Sequence, residues 1–77
     1  MKKNAALPPA YQRRLDAMLP ECLDGKWPKH GGHRLIGEPS VISVPLGRRY
    51  RLLLRDAPLR VDAVLTHSDY NNRLKNS

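Results

Sequence analysis

Apolar residues change their spacing once along this chain. Between Pro8-Pro9 and Gly25, the residues Tyr11, Leu15, Met18, Leu19 and Cys22 recur three and four positions apart, with Gln12, Arg13 and Asp16 between them. That spacing makes one stripe of an amphipathic helix, opened by prolines whose fixed φ suits a first helical turn. Pro20 interrupts the stripe, so the helix either kinks there or ends near Leu19. Asp24-Gly25 is the expected stop, with Gly25 free to take a left-handed cap conformation. A basic, glycine-rich loop follows at 25–33 and carries His30 and His33. Such loops lie on the surface and often carry function.

Beyond the loop the period becomes two. Ile42, Val44 and Leu46 alternate with Ser43 and Pro45. Tyr50, Leu52 and Leu54 alternate with Arg49, Arg51, Leu53 and Arg55. Leu59, Val61, Ala63 and Leu65 alternate with Arg60, Asp62, Val64 and Thr66. Alternation predicts three strands, each with one buried face. The connections at 46–48 and 56–58 are hairpin-sized, so the strands should form an antiparallel meander, with Pro45 at an edge or a bulge. The expected fold class is α+β: an N-terminal helix packed on a three-stranded antiparallel sheet. It forms a single domain over 1–77, with 1–7 and 75–77 flexible. The polar tail from Asn71 has room for one helical turn.

Composition narrows this further. A chain of 77 residues buries only roughly 60% of its unfolded surface. With no Phe and one Trp, the core must be aliphatic. Fourteen Lys and Arg face seven Asp and Glu, a formal net charge of +7. A small domain this basic calls for a polyanionic partner: nucleic acid, an acidic protein segment or, less often, a membrane surface. The plain alternative is a basic, solvated surface. The single cysteine excludes an internal disulfide. No apolar run suits an export signal or a membrane span, so a cytoplasmic protein without a membrane partner is expected.

Three groups of residues could carry chemistry. By the two-residue period, Arg49, Arg51 and Arg55 project to one side of their strand, and Arg60 on the next strand can join them. Clustered guanidinium groups repel one another unless an anion sits among them, and their paired donors match phosphate oxygens. Alternatively they form a solvated face whose stems cover Leu53 and Val64. His67 and Tyr70 follow the last strand, where a histidine can move a proton and a tyrosine can orient or donate one. They equally suit a strand-end histidine and a half-buried tyrosine. Cys22, His30 and His33 are three soft ligands, but a structural zinc site usually has four in tighter pairs, and a cysteine on an apolar stripe suits the core. No metal or cofactor is expected.

The segment Gly32-His33-Arg34-Leu35-Ile36-Gly37-Glu38-Pro39 resembles the G-H-K-L-x-G-x-P lead-in of RelE-like toxins. Arg49-Tyr50-Arg51-Leu52-Leu53-Leu54 resembles the G-Y-R-L-v-y signature of their second hairpin. Val61 to Tyr70 resembles the final strand and its histidine–tyrosine ending. The order and spacing of the three, over about residues 11–74, are similar to the RelE/ParE superfamily of type II toxin–antitoxin toxins. The resemblance implies a ribosome-dependent mRNA endoribonuclease. In it Arg51 steadies the scissile phosphate, His67 takes part in proton transfer and Tyr70 orients the nucleotide. Arg34, Arg48, Arg49, Arg55, Arg60 and His33 complete the expected nucleic-acid-binding set. The implied partners are an acidic antitoxin and the ribosome with its mRNA. RelE carries two lysines on the strand before the Tyr-Arg motif, where this chain has Ser43 and Pro45. A ParE-like inhibitor of DNA gyrase, or a catalytically inactive relative, therefore stands as the alternative, and a small basic nucleic-acid-binding protein as a third. Against the family pattern, the opening strand and half a helical hairpin are missing. The expected open sheet edge would pair with an antitoxin segment or with a second copy in a homodimer.

Overall fold

The computed structural model describes residues 6–75. Helix α1 spans Pro9–Glu21, with Pro8 at its N-cap and Pro20 inside its last turn. Its stripe is the predicted one: Leu15, Met18 and Cys22 are buried, and Tyr11 and Leu19 pack beside them. The helix continues through Pro20 to Glu21 and then relaxes into one wide turn, Cys22–Lys26. That turn closes on Gly25 at φ 89°, the left-handed geometry expected of it. The loop beyond is not irregular throughout, because Trp27–His30 form a 3-10 turn. Lys29 and His30 tie this turn back to α1 through Glu21, at 2.8 and 3.1 Å.

Four strands follow, not three: β1 His33–Leu35, β2 Glu38–Leu46, β3 Tyr50–Arg55 and β4 Arg60–Thr66. They pair as an antiparallel meander in the order β1-β2-β3-β4. The three-residue β1 escaped the period test because it is too short to show a period. Its pairing starts at His33 against Ser43. Pro45 lies past that end, where no strand of the sheet requires its missing N–H. The chain is thus α+β, an N-terminal helix on an antiparallel sheet, with one strand more than expected.

Both faces of the sheet are buried, where alternation predicted one. Ile42, Val44, Leu46, Leu52, Leu54 and Val64 meet α1 on one side. Leu35, Val41, Leu53, Ala63, Leu65 and Tyr70 form a second cluster on the other. The cover for that side is helix α2, His67–Lys75. It is longer and begins earlier than the single turn expected after Asn71. Unbroken apolar runs such as Leu52-Leu53-Leu54 mark strands covered on both faces. Of the ends expected to be flexible, residues 1–5 and 76–77 lie outside the described residues. Leu7 packs against the α1-side core. Among the described residues, no helix is long and apolar enough to cross a membrane.

Candidate functional site

The start of α2 is fixed by a cap. Thr66 Oγ1 accepts a hydrogen bond from the Asp69 backbone N–H at 3.1 Å, satisfying a donor that the first helical turn leaves without a partner. Thr66-His67-Ser68-Asp69 is a Ser/Thr-x-x-acid pattern, a helix-start signal legible in the sequence. Because the helix begins here, His67 does not continue the strand. It stands exposed at the first position of α2, one turn ahead of Tyr70.

The β2–β3 turn at 47–49 lies against this helix start. The His67 backbone N–H donates to the Arg49 carbonyl at 2.8 Å, and Tyr50 sits opposite Thr66 across the β3–β4 pair. Arg48, Arg49, Tyr50, Thr66, His67 and Ser68 line an open cleft of about 290 Å³. Arg48 and Arg49 are both exposed. Arg51, half-buried on the α2 side of β3, places its Cζ 5.2 Å from the centroid of the Tyr70 ring. Tyr70 itself is only 7% exposed and belongs to the α2-side core.

The arginine row expected on one face divides into two groups. Arg49 leaves it because β3 begins only at Tyr50, which puts Arg49 in the turn. Arg55 keeps the expected side but is neutralised there. Its Nε lies 3.4 Å from Asp62 Oδ1 and its Nη2 3.9 Å from Glu38 Oε2. Arg73 also reaches Glu38, at 3.3 Å. Arg60 donates to the Pro58 carbonyl at 2.8 Å. Arg34 is used three times: it binds the Pro39 carbonyl at 2.8 Å and Asp56 at 3.0 Å, and it covers Trp27 at 5.4 Å. Arg34 and Arg55 are therefore paired with carboxylates at the β3–β4 turn end of the sheet, where Arg60 stands exposed. Arg48, Arg49 and Arg51 gather at the other end, beside His67.

The remaining candidates are apart from that cleft. His33 is exposed on edge strand β1, whereas His67 follows the opposite edge strand, β4. Cys22 is fully buried in the α1-side core, and burial pushes its thiol pKa up. His30 Nε2 is 3.1 Å from Glu21 Oε1. Bonds from Lys29 first, and from His30 second, hold the Glu21 carboxyl below the usual range. Cys22, His30 and His33 are not brought together, and no group of three or more His, Cys, Asp or Glu assembles among the described residues.

Taken chemically, the cleft end offers two open guanidinium groups, a third braced on an aromatic ring, an exposed imidazole and the hydroxyls of Tyr50, Thr66 and Ser68. Such a set can bind phosphate and exchange a proton beside it. Compared with known families, residues 9–72 match the model of the ParE-like toxin domain. No curated protein and no solved structure matches the chain.

Proposed function

Since this chain belongs to the ParE-like toxin family, we propose that it is the toxin of a type II toxin–antitoxin module and that it cleaves mRNA on the ribosome. The observation carrying this reading is the separation of the arginines. Arg34 and Arg55 at one end are paired with Asp56, Asp62 and Glu38, while Arg48 and Arg49 open into a cleft with His67 and Ser68 beside Arg51.

In the proposed reaction a ribose 2′-hydroxyl attacks the adjoining phosphate. The 2′-O–P bond forms, the P–O5′ bond breaks, and a 2′,3′-cyclic phosphate and a 5′-hydroxyl result. The 2′-hydroxyl gives up its proton and the leaving 5′-oxygen gains one, a transfer in which His67 takes part. Arg51 meets the charge that builds on the phosphate oxygens. Arg48 and Arg49 hold flanking phosphates. Tyr70 acts through Arg51, because its ring is buried and does not offer an open face to a base. An acidic antitoxin would neutralise this basic surface in the cytoplasm.

The test is cleavage of a message on purified ribosomes, alongside growth after induction in a bacterial host. Wild-type protein should cut the message and arrest growth, and Arg51→Ala and His67→Ala should do neither. Intact message and undisturbed growth with the wild type would remove the reading. Equal cutting by all three proteins would remove the site assignment.

One observation favours a second reading. Ser43 is fully buried and Pro45 half-buried, and these positions correspond to the RelE lysines. A face without those cations suits a ParE-like inhibitor of DNA gyrase, which needs no nuclease groups. Loss of supercoiling by purified gyrase, with ribosomal message intact, would establish that reading instead.

A further inference from the structure

The arginine turn is held from two sides, and one of its supports comes from a residue outside the cleft. Gly47 opens the turn at φ 67°. The Tyr11 ring lies directly against its α-carbon: a Cβ at Gly47 would run into Tyr11 Cε1, with Cζ and Oη at 3.3 Å. The same ring meets Tyr50, the residue after the turn, edge-on with centroids 4.9 Å apart at 65°. From the α2 side, the His67 N–H bond to the Arg49 carbonyl fixes the turn's far end. Tyr11 is not among the residues lining the Arg48–Arg49 cleft.

A tight turn carrying two long cations would ordinarily lose much freedom on binding a polyanion. Contacts that restrain its backbone beforehand lower that loss. We propose that Tyr11 is a positioning residue: through Gly47 and Tyr50 it fixes the turn so that Arg48 and Arg49 are set for consecutive phosphates. This rests on the phosphate-binding reading of the cleft. It assigns α1 a part in the site beyond covering the sheet. The ring provides the contact, so a phenyl ring at position 11 should serve as well.

The experiment measures two things on the full chain: amide hydrogen exchange, and binding of a short oligouridylate. In Tyr11→Leu the His67 amide should exchange about tenfold faster while the Leu52 and Leu54 amides of the core are unchanged. Oligouridylate binding should weaken about tenfold. Tyr11→Phe should restore both to within about twofold of the wild type. Gly47→Ala both strains the turn at φ 67° and displaces the ring, so it should speed His67 exchange at least as much as Tyr11→Leu, while restoration by Tyr11→Phe guards against a misfolded variant. Unchanged His67 exchange, unchanged affinity, core amides loosened equally, or failure of Tyr11→Phe to restore the site would each overturn the proposal. Should the wild type bind no oligouridylate, the phosphate reading fails, and the exchange measurement still decides whether Tyr11 holds the turn.

Discussion

Arg51 and Tyr70 meet across the α2-side face of the sheet, guanidinium carbon to ring centroid 5.2 Å. The pair joins a buried ring to a half-exposed cation, so its two members should fail differently when removed. Tyr70→Ala should cost about 3–5 kcal/mol, as expected for a buried aromatic. Arg51→Met should cost less than about 1 kcal/mol. A double-mutant cycle should show a coupling of about 0.5–2 kcal/mol, the range of a cation–π contact. Urea unfolding of the four proteins measures all three. Zero coupling would mean that Tyr70 does not brace Arg51.

The arginines should separate into two classes in parallel assays. Arg48→Ala and Arg49→Ala should leave stability within about 0.5 kcal/mol of the wild type. Each should reduce the salt dependence of RNA binding by about 0.7 in log–log slope, one phosphate contact on a single strand. Arg55→Ala should do the reverse. It withdraws a cation from Asp62, whose side chain is 3% exposed, at a cost of about 1–3 kcal/mol and with little change in slope.

Thr66→Ala should destabilise the protein by about 0.5–2 kcal/mol, the usual value of a helix cap. The loss should concentrate in α2. Hydrogen exchange at Asp69 and Tyr70 should accelerate more than at the α1 amides of Leu15 and Met18. Thr66→Ser retains the hydroxyl acceptor and should lie close to the wild type.

Glu21 predicts an acid-side stability slope of definite sign. Its carboxyl sits below the ordinary 4.5 through bonds from Lys29 and His30. In the acid window the unfolded chain therefore binds the proton more readily than the folded one. Stability should rise with pH through that window, reach its full value above about 4.5, and fall away as pH drops through the lowered pKa. The contribution is small because the group is solvated. Urea midpoints across the acid range should show a shallower slope for Glu21→Gln than for the wild type. An identical slope would contradict the assignment.

The helical stripe of Tyr11, Leu15, Met18, Leu19 and Cys22 could be read directly, as could the stop at Gly25 and the three longer strands. Each reports a repeat of backbone geometry within a few residues. β1 was not legible because three residues carry no period. The start of α2 was legible in Thr66-His67-Ser68-Asp69, but the polar residues from Asn71 suggested only a single turn placed later. The single buried face was the larger miss. Leu53 looked like an outlier in an alternating pattern because the element covering it, α2, lies further along the chain, and Val64 because it faces α1 while its neighbours Ala63 and Leu65 face α2.

The sequence by itself determined the helix, the antiparallel meander, the basic charge and the toxin-like motif order, because these depend on local spacing and on counting. Which arginines are open to a partner was decided only by tertiary structure. Arg34 meets Asp56 across 22 positions and Arg73 meets Glu38 across 35. Charge neutralisation acts through space, over ångströms, and residue spacing along the chain does not encode it. The fold therefore took a row of similar arginines and paired Arg34 and Arg55 with carboxylates, while Arg48 and Arg49 open into the cleft beside His67.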